Sequence, residues 1–560
     1  MRRFSTVMVL AVFLLVLKTT IVQAVANEVR LGGINRYETS IEVSVNHWSQ
    51  SDNVILVSGR DFPDALSASP LSKKYDAPIL LTEKQDIPSN ILNEIKRLKA
   101  KNVYIIGGTG VVDINVENML KNIGINVIRI AGKDRYETSI EVAKMIGNVD
   151  NVVIASGQSF PDALSIASIA AAKQIPILLT GKNSLPTDTL RFMNDNNINQ
   201  GYIVGGTGVV STDISNKLKG FKRLAGKDRF ATNLAVITEF INDLDYGNVF
   251  IATASDYPDA LSGSGGAAKI NSPIFLTNGI TQIKNSNFLE KLKTTENLKV
   301  LGSSGVVSKT AVQRLVLNVY SNNVFEFKEY SNTLQYYINR QFTEGFNVDY
   351  GRGEVTLEKL AYYMNPSNFE NHDQGKYMFL RLNYRDGISL NDLDKILSTK
   401  GILKNRGQVY MTAGQKHNVN PIYLVAHSLL ETGNGTSNLA NGILVSSVDG
   451  QPVQPKVVYN VYAAGAYDAN ADKYGAEFAY KNGWFTVNDA IIGGAEFISK
   501  GYINSYRQQD TLYKMKWDLA NVWHEYATDI GWAYKQTYII KQVVEQTENS
   551  VLYFEIPVFK

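Results

Sequence analysis

The chain predicts several separately folded units: three tandem α/β repeats built on parallel sheets, then a mainly helical module. Three observations lead there. First, words recur with a period of about 97 residues, too long for a solenoid and right for tandem domains. RYETSIEV stands at 36–43 and 135–142, with RFATNLAV at 229–236; FPDALS at 62–67 and 160–165 returns as YPDALS at 257–262. Second, within each unit short apolar runs bounded by Gly or Pro (VILVSG, PILLT, VYIIGG) alternate with helix-length segments such as 89–98 and 114–123. Buried strands alternating with helices indicate parallel α/β layering. Third, the repeats stop near Asn323 and composition shifts toward Tyr, Asn and Phe. A chain of 560 residues also exceeds what one core supports.

The N-terminus is a separate element. Arg2 and Arg3 precede an apolar run over 7–17, and Ala24-Val25-Ala26 supplies a small-x-small cleavage site. This predicts a secretory signal peptide over 1–26, cut after Ala26. No membrane span is expected once it is removed. Its loss removes Arg2, Arg3 and Lys18 and no acid, taking the formal charge from +3 to about zero, so no nucleic-acid partner is expected.

Several chemistries are excluded. There is no cysteine, hence no disulfide, thiolate nucleophile or thiolate metal site. The five histidines form no HExxH, and no G-x-S-x-G elbow occurs, so no metal or cofactor is expected. GGTGVV at 107–112 and 205–210, and GSSGVV at 302–307, lack the Lys-Ser/Thr of a phosphate loop and read as tight turns between strand and helix.

Expected boundaries are 27–126, 127–221 and 222–323 for the repeats, 324–400 for a helical lead-in and 401–560 for the last domain. The recurrent Arg36, Arg135 and Arg229 suit bidentate contact with a phosphate or carboxylate ligand. The alternative is a salt bridge within each unit to Asp64, Asp162 or Asp259, which follow proline at a helix start and suit its dipole.

In the last domain, residues 420–430 (NPIYLVAHSLL) predict a helix. Asn420 caps it, Pro421 suits its first position, and Ile422, Val425, Ala426, Leu429 and Leu430 make one buried face. Gly433 and Gly435 end it, leaving Glu431 at its C-terminal lip. There the helix dipole and partial burial both favour a protonated carboxyl, as a general acid requires. Past it, 457–467 predicts strands or a hairpin, Thr486 caps a helix over 487–500, and 530–544 closes the chain.

The repeated words resemble the cell wall-binding repeat 2 family of clostridial surface proteins over about 29–318, through GxDRYxT, PDALS and PILLT. The resemblance implies three Rossmann-like copies associated into a trimer-like unit that holds the protein non-covalently to an anionic wall polymer. The first copy departs with Ile34-Asn35 for Lys-Asp, the third with Phe230 and with Ser303-Ser304. ETGNGTSNLANG (431–442), YNVYAAGAYD (459–468), KYGAEFAYKNGW (473–484), IIGGAEFISKGYIN (491–504) and YATDIGWA (526–533) occur in that order. Together they resemble the glucosaminidase module of Gram-positive autolysins, glycoside hydrolase family 73, over about 324–560.

That resemblance implies a lysozyme-like α+β catalytic domain, mainly helical, that cleaves the β-1,4 bond after N-acetylglucosamine in peptidoglycan. Glu431 is then the acid, and Tyr526 lines the cleft. Asp468 is the first choice for a second carboxylate, over Asp449, Asp472 and Glu477; the substrate's 2-acetamido group is an alternative nucleophile. Asn434, Trp484 and Trp523 are the expected sugar contacts, the tryptophans by stacking. The expected protein is a secreted monomer held on the wall. The alternatives are a muramidase or lytic transglycosylase on the same fold, and a surface protein whose hydrolase module is inactive.

Overall fold

A computed structural model describes residues 26–280, 283, 285–349, 353–466 and 470–560. The expected leader lies outside them except for Ala26.

Residues 27–320 form three four-stranded sheets, every neighbouring pair parallel. In spatial order the first holds Ile79–Thr82, Asn53–Ser58, Asn102–Ile106 and Asn126–Ile130. The second holds Ile177–Thr180, Val152–Ser156, Gly201–Val204 and Phe221–Leu224 in the same order. Strands Asn53–Ser58 and Val152–Ser156 are apolar through their middles and buried there on both faces, as parallel sheets between helices require.

The fourth strand of each sheet belongs to the next copy of the repeated words. Asn126–Ile130, just before the second RYET, pairs with Asn102–Ile106; Phe221–Leu224, just before RFAT, pairs with Gly201–Val204. For the third sheet the chain returns to its start: Asn27–Leu31 pairs residue for residue with Asn297–Leu301, beside Asn248–Thr253 and Ile274–Thr277. The repeats therefore close into a ring.

At the centre of the ring, helices Ser69–Tyr75, Phe160–Lys173 and Pro258–Lys269 pack on one another. The aromatic residue of each PDALS word meets the other two: Phe62, Phe160 and Tyr257 form a triangle with ring centroids 5.7, 5.8 and 5.9 Å apart. The first copy of this helix is broken into Pro63–Leu66 and Ser69–Tyr75 where Pro70 removes an N–H donor that the second copy retains.

The aspartates of the three PDALS words sit at the junctions, and their partners correct one expectation. Among the described residues, none of Asp64, Asp162 and Asp259 pairs with the arginine of its own unit. Asp64 faces Thr138 and Arg135, Asp162 faces Thr232 and Arg229, and Asp259 faces Thr39 and Arg36, each the following copy around the ring. The strand order places each aspartate in the crevice between the first and third strands, where doubly wound sheets ordinarily take a ligand. Here the next repeat occupies it. Gly107, Gly205 and Gly302 (φ +107°, +112° and +90°) let the turn cross that carboxylate; a side chain there would collide with it. Burial raises the proton affinity of all three aspartates.

The remaining chain forms one core. Its lead-in carries helices Leu334–Glu344, Leu357–Met364 and Leu390–Leu397, but opens on a strand, Val324–Glu329, that pairs in parallel with the terminal strand Tyr553–Val558. Neither strand has a partner nearby in sequence, which is why the helical expectation missed them. The hairpin also lies earlier than expected, Ile443–Val448 with Gln451–Val458. Its turn is Asp449-Gly450, both left-handed as a tight hairpin demands. Thr486 and Asp489 form a reciprocal capping box on Val487–Ile498.

The two halves meet at a buried ion pair. Arg314, on the last helix of the ring (Lys309–Tyr320), lies 3.1 Å from Glu370, itself 1% exposed.

Two predictions follow from this architecture. Leu31→Ala should destabilise the ring by about 2–5 kcal/mol, as for a buried leucine; hydrogen exchange should show the lost protection at 297–301, not in the first repeat's sheet. Arg314→Met should cost about 3–5 kcal/mol by leaving Glu370 buried without its cation. Adding Glu370→Gln should return part of that loss in the same denaturation experiment.

Candidate active site

Helix Pro421–Glu431 runs through the core and ends at the surface. Asn420 caps it, its side-chain oxygen accepting from the Ile422 N–H at 2.9 Å. Residues 421–426, Ser428 and Leu429 are buried, so the helix is fixed by packing, and the Tyr410 and Ser428 hydroxyls bond at 2.6 Å inside. Three consecutive left-handed residues, Gly433, Asn434 and Gly435, then turn the chain away. Glycine at 435 is required on a second count, because a Cβ would strike the backbone at Lys400.

Glu431 is left at the lip with a side chain 34% exposed. Burial raises its pKa. One helical turn back, His427 places Nε2 3.7 Å from Glu431 Oε1. Burial pushes His427 down to about 4, so it is a neutral imidazole near neutral pH and adds no positive charge that would draw the proton off Glu431.

Two cavities share Tyr423, His427, Glu431 and Tyr526. One of about 320 Å³ continues along the 462–466 backbone to Tyr502; the other, about 100 Å³, runs to Leu512, Trp532 and Gln536. Tyr526 packs on Tyr502 and on Trp532, both at 4.8 Å, and burial followed by the Glu431 charge raises its hydroxyl pKa. The arrangement is a two-sided cleft with a protonatable carboxyl at its middle, walled by tyrosines. It can hold a polyhydroxylated chain and deliver a proton to an atom lying across Glu431.

Of the residues expected in the site, Glu431 and Tyr526 are brought together. Asp468 lies outside the described residues. The other carboxylates weighed for its role are engaged away from Glu431. Asp449 sits on the hairpin turn 2.7 Å from Lys481, Asp472 accepts from Asn438 at 3.0 Å, and Glu477 is buried and accepts from the Asp449 N–H at 3.3 Å.

Trp484 must be corrected. It is 4% exposed, packed on Phe478 and against Gly493, and belongs to the core. Trp523 is 60% exposed. Asn434 is a turn residue whose side chain accepts from Lys400 Nζ at 2.9 Å. Arg36, Arg135 and Arg229 lie in the ring, each donating one N–H to a carbonyl (Gly59, Gly157 and Ala254, at 2.5, 2.7 and 2.6 Å). Arg36 also reaches Asp256 at 3.3 Å. Tyr462, Tyr502 and the neutral state of His427 were not foreseen as site features. The first two lie within quoted motifs, but nothing in their spacing separates a wall residue from a core one.

Residues 30–117, 129–215 and 223–312 match the cell wall binding domain 2 family, and residues 407–545 match the family described as mannosyl-glycoprotein endo-beta-N-acetylglucosaminidase. The chain is 42% identical over 215 residues to a beta-N-acetylglucosaminidase of Bacillus subtilis, covering 38% of this chain and 23% of that protein. It is 32% identical over 296 residues to the N-acetylmuramoyl-L-alanine amidase LytC of the same organism, covering 53% and 59%. It thus spans less than two thirds of the length of either. Among solved structures, Cwp8 from Clostridium difficile aligns at 29% identity and a TM-score of 0.47, over 53% of this chain and 52% of that one. By the two family matches, the chain carries three cell wall binding domain 2 repeats followed by a glucosaminidase domain.

Proposed function

We propose that this protein is a secreted, wall-anchored peptidoglycan hydrolase, an endo-β-N-acetylglucosaminidase cleaving the β-1,4 bond after N-acetylglucosamine. The observation that carries the reading is Glu431, a half-buried carboxyl of raised proton affinity where two cavities meet, within a glucosaminidase domain joined to three wall-binding repeats. In the reaction Glu431 gives its proton to the glycosidic oxygen as the bond to the anomeric carbon breaks. The neutral His427 leaves that proton in place until the substrate arrives. Tyr526 presents its hydroxyl beside the acid and its ring to the sugar. Asp468, or the substrate's own acetamido oxygen, supports the positive charge that grows at the anomeric carbon. The ring holds the enzyme on an anionic wall polymer, to which Arg36, Arg135 and Arg229 offer the N–H donors not spent on their carbonyls.

The decisive experiment digests purified peptidoglycan with the mature protein and with Glu431→Gln, then reduces the products with borohydride for mass spectrometry. Reduced N-acetylglucosamine ends are expected from the wild type, with the variant slower by about 10²–10⁴-fold. Reduced muramic acid or anhydro-muramic ends would move the reaction to a muramidase or lytic transglycosylase. Absence of cleavage with wall binding intact would leave a surface protein.

The pH dependence has a defined sign. The acid must be protonated, and burial raises its pKa above the ordinary 4.5. Activity should hold below the raised value and fall as pH climbs through it, so the alkaline limb of kcat/KM lies above 4.5.

A further inference from the structure

Phe346 and Trp523 are 61% and 60% exposed and meet edge to face at 5.1 Å. Two large rings that touch and are both open to water make a contiguous apolar surface instead of scattered exposure. The backbone presenting this one is held from several sides. Arg340 donates to the carbonyls of Leu519 and Ala520, and the Asp518 carboxylate accepts from the N–H groups of Ala520 and Asn521. Gln509 donates to the His524 carbonyl at 2.9 Å and bonds its ring. Beneath the loop, fully buried Lys516 pairs with Glu525, which also accepts from Gln341; Gln341 in turn bonds Asn347, the neighbour of Phe346, at 3.2 Å.

A buried ion pair is a weak source of stability, and its use here is positional: it fixes both segments that carry the exposed rings. Rings on a rigid frame lose little freedom when a ligand arrives. Three residues beyond Trp523 stands Tyr526, which lines both cavities at Glu431. Three residues of chain reach at most about 11 Å, so the pair lies within a short oligosaccharide's length of the cleft. His524, the chain neighbour of Trp523, packs on Tyr502 at 5.6 Å, and Tyr502 packs on Tyr526 at 4.8 Å.

We infer that Phe346 and Trp523 form a distal subsite that stacks on a pyranose ring of the glycan strand, beyond the sugars that flank the scissile bond. The inference rests on the hydrolase reading above. A pyranose is the occupant because the pair stands three residues of chain from a tyrosine-walled cleft and presents exposed aromatic rings, which suit the C–H face of a sugar.

The test measures binding of peptide-free glycan strands of graded length to the Glu431→Gln protein, which holds substrate without turning it over. Trp523→Ala and Phe346→Ala are then made in that background. For long strands the Kd should rise about tenfold with Trp523→Ala, the size of a lost stacking contact. The loss should shrink for strands too short to reach the pair, and Trp523→Tyr should restore most of the affinity. Equal loss at every length would place the rings at the scissile bond and overturn a distal subsite. So would unchanged affinity in a variant that retains its thermal unfolding midpoint. If peptide-bearing strands, measured alongside, lose affinity while peptide-free strands do not, the pair contacts the peptide stem and the pyranose subsite is overturned. Because these measurements involve no cleavage, failure of the wild-type digest would defeat the hydrolase reading while the subsite is judged on its own data.

Discussion

Each wall-binding repeat is one strand short, and the rest of the ring is built on how that strand is supplied. Parallel sheets need both faces covered and leave edges that invite pairing. Here the strand that opens each repeat completes the sheet of the one before, and Asn27–Leu31 carries the pattern back from the third repeat to the first. The crevice at the strand-order reversal, the ordinary ligand site of such sheets, then receives the threonine and arginine of the neighbouring copy against a buried aspartate. One motif thus serves twice: its strand closes a sheet, and the start of the helix after it fills a crevice.

The cleft depends on a similar economy of backbone. A helix held on every side by the core ends where three left-handed residues turn the chain away, and its last side chain is Glu431. The acid's position is therefore a property of the domain core and not of a loop. Its proton affinity comes from the partial burial this creates, and the neighbouring imidazole stays neutral for the same reason. Both effects act through desolvation, which disfavours the charged form whatever its sign.

The ring and the cleft form a continuous structure. The last helix of the ring reaches the second core through Arg314 and Glu370, and the strand that follows it is pinned to the C-terminal strand. On the proposed function, a wall-bound ring would present the cleft in a set orientation to the glycan strands around it.

Much of this was readable in order along the chain. Identical words at a fixed period could only be copies of one unit, and alternating apolar runs and helical segments could only layer as α/β. Asn420, Pro421 and the glycines after Glu431 marked both ends of the helix that carries Glu431, because caps and turns act over a few residues. What could not be read were pairings across long separations. Asn27–Leu31 lies 270 residues from its partner strand, and Val324–Glu329 lies 229 residues from its own. For the arginines and aspartates of the repeats, sequence suggests a pairing within one unit where the ring sets each aspartate against the neighbouring copy. Trp484 and Trp523 look alike beside their motifs; one is core and the other open surface, a difference set by which way each segment packs. Spacing along a chain specifies local conformation, whereas burial and partnership are properties of the assembled volume.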